Sequence, residues 1–137
     1  MASAIGHRLF TIMRHDGAAG RNTRIHSSHP VEYPTGGAKP VRHSAWTQQL
    51  LVEGRPFIGR DADAIRAHFA DHATILALGC ESVLNLPVLW NGQVLGTVNL
   101  LHRAGHYAPH HARIGMALAA RAIPALLERA CPPPASL

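Results

Sequence analysis

The sequence is short of lysine, cysteine and aromatic residues. Lys39 is the single lysine among thirteen cations, there are two cysteines, and aromatics make up 5% of 137 residues. Each shortage excludes something. Cys80 and Cys131 lie far apart and form no CxxC pair, so no disulfide framework is expected, and this cysteine usage fits a reducing cytoplasm. Charged residues are 15% against 47% apolar, the reverse of a disordered chain. The cations outnumber eight acids to give +5, yet the arginines stand singly and build no basic stripe, so no nucleic-acid partner is expected. The opening MASAIGHRLFTIMRHDG has Arg8 inside its apolar stretch and lacks a signal-peptide layout. The uncharged stretch Ser82–Leu101 has the length of a membrane span, but Asn91-Gly92 divides it and Asn85, Pro87, Thr97 and Asn99 interrupt it; no membrane partner is expected.

What is present is enough apolar material for one domain, expected over residues 1–131 with a disordered C-terminal tail at 132–137. Its sharpest local signal is VLNLPVLW-NG-QVLGTVNLLH. Asn-Gly tolerates positive φ at both central positions of a type I′ turn, so Ser82–Trp90 and Gln93–His102 are predicted to form a hairpin. A two-residue loop sets the register: Trp90 opposite Gln93, Val88 opposite Leu95, Leu86 opposite Thr97 and Leu84 opposite Asn99. On the other face Asn85 is then expected opposite Val98. Both faces are mostly apolar, which places the hairpin centrally in a covered sheet. Pro87 cannot donate to the ladder, and a bulge or an unpaired edge is expected there.

Upstream, His7–Arg14 and Arg24–Ser28 are predicted strands. Residues 29–45, rich in Pro, Gly and His, form an irregular loop. Trp46–Glu53 suits a short helix and Arg55–Gly59 a short strand. Asp61–Leu78 is predicted as one helix capped by Asp61 or Asp63, buried through Ile65, Phe69, His72/Ala73 and Leu76, and stopped by Gly79. Pro109–Ala130 is a second helix with Ile114, Leu118, Ala122 and Leu126 on one side, kinked or shortened by Pro124. Hairpin strands with helices gathered to one side give an α+β sandwich.

The segments RPFIG, LGCES and SVLNLPVLWNGQVLGTVNLLH, in this order and spacing, resemble a GAF domain. That resemblance implies a profilin-like sandwich, an antiparallel sheet of about six strands with helices packed on one face. It also implies a ligand cleft on the other face, under a mobile middle segment that corresponds to residues 29–58. The free methionine sulfoxide reductases, a catalytic branch of this fold, are not matched. They place a nucleophilic Cys further ahead of the hairpin Pro than Cys80 stands from Pro87, and they add a Cys in the middle segment, where residues 29–60 have none. The Asn-Lys-Phe-Asp-Glu signature of cyclic-nucleotide GAF domains is not evident either.

The candidate ligand-binding residues are Tyr33, Lys39, Arg42, Trp46, Cys80, Thr97 and Asn99, with Arg24 beside them. Tyr33 and Trp46 offer aromatic walls and the cations fixed charge; alternatively, the two rings plug the open sheet face. Thr97 and Asn99 are polar positions in apolar strands, either orienting a ligand or bonding nearby backbone. Asn85 is expected on the opposite face from them. Cys80 lies beside Glu81 at a helix end, which suits a small buried hydrophobe better than a reactive thiol. His68 and His72, spaced i, i+4, would share a helix face; among eleven histidines such a pair arises by chance, and no metal or cofactor is assigned. The leading expectation is a sensory or regulatory domain holding a small molecule between the sheet and residues 29–58. The alternatives are a thiol-dependent redox enzyme using Cys80, or a module that acts through contacts such as a homodimer.

Overall fold

In a computed structural model, residues 5–41 and 43–130 are described, the side chains of 38–40 and 128–130 excepted. The expectations placed on Arg42, Cys131 and the tail at 132–137 lie outside these residues. Strands β1 (Leu9–Asp16), β2 (Arg21–Ser27), β3 (Ala38–Pro40), β4 (Phe57–Gly59), β5 (Ser82–Trp90) and β6 (Gln93–His102) form one antiparallel sheet in the order β3-β2-β1-β6-β5-β4. The first two strands lie slightly off the predicted ranges, since β1 runs on to Asp16 and β2 begins at Arg21. The central hairpin is where the Asn-Gly turn puts it, with Asn91 at φ 53° and Gly92 at φ 76°.

Its register is not the predicted one throughout. Trp90 faces Gln93 and Leu89 faces Val94, but the pairing shifts between Val88 and Leu89, one residue after Pro87. From there Val88 faces Gly96, Leu86 faces Val98, Asn85 faces Asn99 and Leu84 faces Leu100. The expected Val88–Leu95, Leu86–Thr97, Leu84–Asn99 and Asn85–Val98 pairs are therefore overturned. Leu95 is the extra residue of a bulge, which brings Asn85 onto the same face as Thr97 and Asn99. A second bulge lies in β2. Ile12 faces His26 and Met13 faces Arg24, so Ile25 is skipped and Arg24 takes the face of Met13.

One sheet face is covered by helix α4 (Pro109–Ala119), a 3₁₀ turn (Ala120–Ala122) and helix α5 (Ile123–Ala130). Pro124 falls in the first turn of α5, where a missing N–H costs least, so the long predicted helix resolves into two. Leu84, Leu86, Val88, Val98 and Leu100 pack there against Ala112, Ala119 and Leu126. The expected stripe is corrected at Ile114, which is exposed; small residues face the sheet instead. At Gly115 an added Cβ would come within 2.7 Å of Leu86 Cδ1, so the glycine sets how closely α4 approaches.

The opposite face is roofed by the middle of the chain. Helix α1 (Ala45–Thr47) runs into a π-helical turn (Gln48–Val52). Asp61 caps α2 (Ala62–His68), its carboxylate accepting from Ala64 N at 3.1 Å. The single helix expected over 61–78 is broken: Phe69 is extended (φ −118°, ψ 120°) and α3 (His72–Ala77) starts anew. Ile65 and Ile75 are the residues buried here, together with Leu9, Tyr33, Cys80, Val83 and Leu101. No helix among the described residues is long and apolar enough to cross a membrane.

Candidate functional site

Between the sheet and this roof lies a hollow of about 640 Å³. Its floor is built from alternate residues of β1 and β6, including Leu9, Thr11, Met13, Thr97 and Asn99. Arg24 and Tyr33 form one side, Trp46 and Leu50 the roof, and Phe69 and Asp71 the far wall.

The floor carries a chain of hydrogen bonds whose direction is set by one atom. The Trp46 indole N–H can only donate, and it donates to Asn85 Oδ1 at 3.1 Å. Asn85 must then present its amide nitrogen onward, and Nδ2 donates to Asn99 Oδ1 at 2.7 Å. Asn99 in turn donates through Nδ2 to the hydroxyls of Thr11 and Thr97, each at 3.2 Å. Both hydroxyls act as acceptors in this chain, so their own hydrogens remain available to donate. All four polar side chains are buried, with Asn85 at 1% exposure, so the network also satisfies groups that would be costly alone.

Trp46 is held in place by its own element and by the break between α2 and α3. Ser44 caps α1, its hydroxyl accepting from Thr47 N at 3.1 Å while Ser44 N donates to Thr47 Oγ1 at 2.9 Å. The break turns Phe69 onto the indole, ring centroids 5.0 Å apart, and His68 and Phe57 flank it at 6.1 and 6.4 Å.

The side wall depends on the irregular segment after β2. Arg24 N donates to Gly37 O at 2.9 Å and Gly36 N to Arg24 O at 2.7 Å, folding residues 28–37 back over the strand. This sets the Arg24 guanidinium 4.5 Å over the Tyr33 ring, with Nη1 donating to Pro34 O at 3.1 Å. Arg24 is 6% exposed, and its Nε is buried with no acceptor among the described residues. Burial lowers the Arg24 pKa from its usual value, opposed by Tyr33 and Asp71 nearby; an arginine this far above neutrality stays charged. The Tyr33 hydroxyl donates to Asp71 Oδ2 at 2.6 Å, and burial together with that bond holds its proton firmly. Asp71 stands at the N-cap of α3, yet its carboxylate takes Tyr33 rather than capping.

Of the candidates, the structure brings Tyr33, Trp46, Thr97 and Asn99 together around the hollow, with Arg24. Lys39 lies on β3 opposite Asn22. Cys80 does not line the hollow; it is fully buried behind it, and burial pushes its thiol up to about 11. His68 and His72 fall on different helices, so the shared helix face that suggested a chelating pair does not exist. Sequence reasoning missed Thr11 and Asp71. Thr11 could be found from its alternation with Leu9 and Met13 once the β1–β6 register was known, whereas Asp71 looked like mid-helix surface until the helix broke.

The family model for the GAF domain matches residues 5–126. No curated protein gives a significant sequence match. Among solved structures, the GAF domain/HD domain protein from Geobacter sulfurreducens is similar with a TM-score of 0.71 and 12% identity, over 93% of this chain and 85% of that one. The second GAF domain of DevS from Mycobacterium smegmatis gives 0.65 and 16%, over 94% and 86%. The type II free methionine-R-sulfoxide reductase from Thermoplasma acidophilum gives 0.64 and 10%, over 89% and 80%. At such identities the likeness concerns the fold alone.

Proposed function

The chain belongs to the GAF domain family, a family of small-molecule-binding sensory and regulatory domains, and from that premise we propose that it binds a small molecule in the hollow and reports occupancy through the roof. One observation carries this reading: an apolar-walled space of about 640 Å³ whose few polar groups converge on it from three strands. The roof is built of short pieces, a three-residue helix, a π turn and a loop anchored through Arg24, so its order is the property a ligand would change. Such a switch needs a ligand that favours one arrangement of residues 29–58 over another.

The reading is tested by thermal shift against a panel of nucleotides, aromatic acids and tetrapyrroles. Ligands that bind the folded state raise Tm. At least one member is expected to do so, and Met13→Trp, which fills the floor, is expected to abolish the rise. A compound that stabilises the wild type and Met13→Trp equally would show that the hollow is not its site. A thiol-dependent enzyme is the weaker reading, because Cys80 is walled off and its thiolate disfavoured. A homodimer and a cytoplasmic setting remain part of the proposal, the first open to light scattering across concentrations.

A further inference from the structure

The direction of the floor's hydrogen bonds specifies more than a pocket. Because Trp46 can only donate, the chain through Asn85 and Asn99 ends on the Thr11 and Thr97 hydroxyls as acceptors, and what those hydroxyls offer the hollow is two O–H donors. A ligand group meeting them must accept, as a carbonyl, ether or carboxylate oxygen does. Two strands away on the same face stands Arg24, because Thr97 faces Met13 and Met13 faces Arg24. At about 4.8 Å per strand, the Thr97 and Arg24 backbones are on the order of 10 Å apart, with Met13 between them. Arg24 is buried and anchored through Nη1, and its Nε–H has no acceptor among the described residues. A buried donor left over on a fixed cation is expensive unless something meets it.

We propose that the hollow holds a small organic acid, its carboxylate on Arg24 and a second acceptor oxygen on the Thr11 and Thr97 hydroxyls, with an apolar or aromatic body under Trp46. This rests on the small-molecule reading above and names the class of molecule. Among the described residues the charged side chains of the lining are Arg24, Arg66 and Asp71. Arg66 is exposed and paired with Asp63 at 3.2 Å, so Arg24 is the buried cation that faces a ligand, which suits a single negative charge. A phosphate dianion beside Asp71 would be repelled more strongly than a carboxylate. The two poles require separated oxygens, and Met13, which lies between Thr97 and Arg24 on the floor, fits a hydrocarbon stretch between them.

The probes are 3-benzoylpropionate, its methyl ester, 4-phenylbutyrate and phenyl phosphate, titrated by calorimetry and thermal shift. The keto acid is expected to bind at least tenfold tighter than its ester and tighter than phenyl phosphate. Arg24→Gln should erase the acid-over-ester preference, with Arg24→Lys retaining part of it if Gln perturbs folding. Thr97→Val should weaken 3-benzoylpropionate several-fold while leaving 4-phenylbutyrate, which lacks the ketone, unchanged, and Thr97→Ser should restore the keto acid. An ester that binds as well as the acid overturns the organic-acid assignment and leaves the pocket standing. If neither acid nor ester binds while a member of the nucleotide, aromatic-acid and tetrapyrrole panel still raises Tm, the organic-acid assignment falls and the small-molecule reading stands; if no compound of either set binds, both fall. Phenyl phosphate binding more tightly than the carboxylates overturns the assignment in favour of a phosphorylated ligand.

Discussion

The two faces of one sheet are built on different terms. Toward α4 and α5, alternate residues of β5 and β6 are Leu or Val, and Leu86 meets a helix that approaches through Gly115. Toward the roof, the same two strands present Asn85, Thr97 and Asn99, joined through Trp46 and Thr11 into one directed chain of hydrogen bonds. The first face is closed by contact between side chains; the second satisfies itself sideways along the sheet and leaves space above it. A face that is merely apolar gains by collapsing onto a partner, whereas buried amides resist collapse, since any rearrangement must keep every donor matched. The difference explains how a 137-residue chain keeps a hollow without being short of core.

The comparison breaks first on the packed face. Leu86→Ala is expected to cost about 2–5 kcal/mol by removing a buried side chain against α4. Chemical denaturation should show the loss, and α4 should lose amide-exchange protection with it. Gly115→Ala tests the same contact from the helix side: a methyl against the Leu86 side chain is expected to cost about 1–3 kcal/mol, less than the deletion because Leu86 can shift. If either change left stability untouched, the tight approach of α4 would not be what closes this face.

On the hollow face Asn99→Ala is expected to cost about 1–3 kcal/mol, chiefly because the Asn85 amide loses its acceptor. The double change Asn85→Leu, Asn99→Leu removes both ends of that bond and should destabilise less than the sum of the single changes. Additivity between them would mean that the two amides are not coupled, and the contrast between the faces would weaken.

The hairpin was legible and the membership of its faces was not. Alternating Leu and Val in β5 and β6, with Asn91-Gly92 between, is a pattern that points to one answer, so the hairpin limits follow from the residues, whereas the expected register had set Leu84 and Leu86 on the face of Asn99 and Thr97. The polar face depends on two bulges. Leu95 and Ile25 are ordinary β formers, and nothing in their side chains marks them as the residues to be skipped, yet skipping them is what sets Asn85 beside Asn99 and Arg24 beside Met13. A register slip of one residue exchanges the faces, which is why Asn85 was expected on the wrong one. The break at Phe69 was hidden similarly: the 61–78 stretch has helical periodicity throughout, and the gain from turning Phe69 onto Trp46 and Asp71 onto Tyr33 is tertiary. Most of the candidate residues were nonetheless visible as exceptions, polar groups in apolar strands and aromatics in an irregular loop, because burying them requires a reason.

The smallest expected effect separates the faces by pH. The network on the hollow floor, Thr11, Trp46, Asn85, Thr97 and Asn99, contains no group that titrates near neutrality. The packed face ends in a histidine cluster: His102 at the end of β6 stacks on His106 at 4.0 Å, His106 on His111 at 5.5 Å, and His106 Nε2 bonds Ile5 O at 2.8 Å. Burial pulls the His7, His102 and His111 pKa values below the usual 6.5. Neighbouring cations add to this: His106, Arg8, Arg103 and His7 around His102, and His110 and His106 around His111. A depressed folded-state pKa means that the unfolded chain takes up protons first, so the stability is present above pH 6.5 and is lost as pH falls below it toward the folded values. Tm is expected to drop by a few degrees between pH 7.5 and 5.5, and His102→Gln, which cannot be charged, should lessen that drop. Amide protection factors at the lower pH should fall first around Ile5, Tyr107 and the start of α4, while those of Asn85, Thr97 and Asn99 hold. Loosening that began at the floor instead would mean that the acid-sensitive element lies on the hollow side, and the division between a packed face and a self-satisfied one would need redrawing.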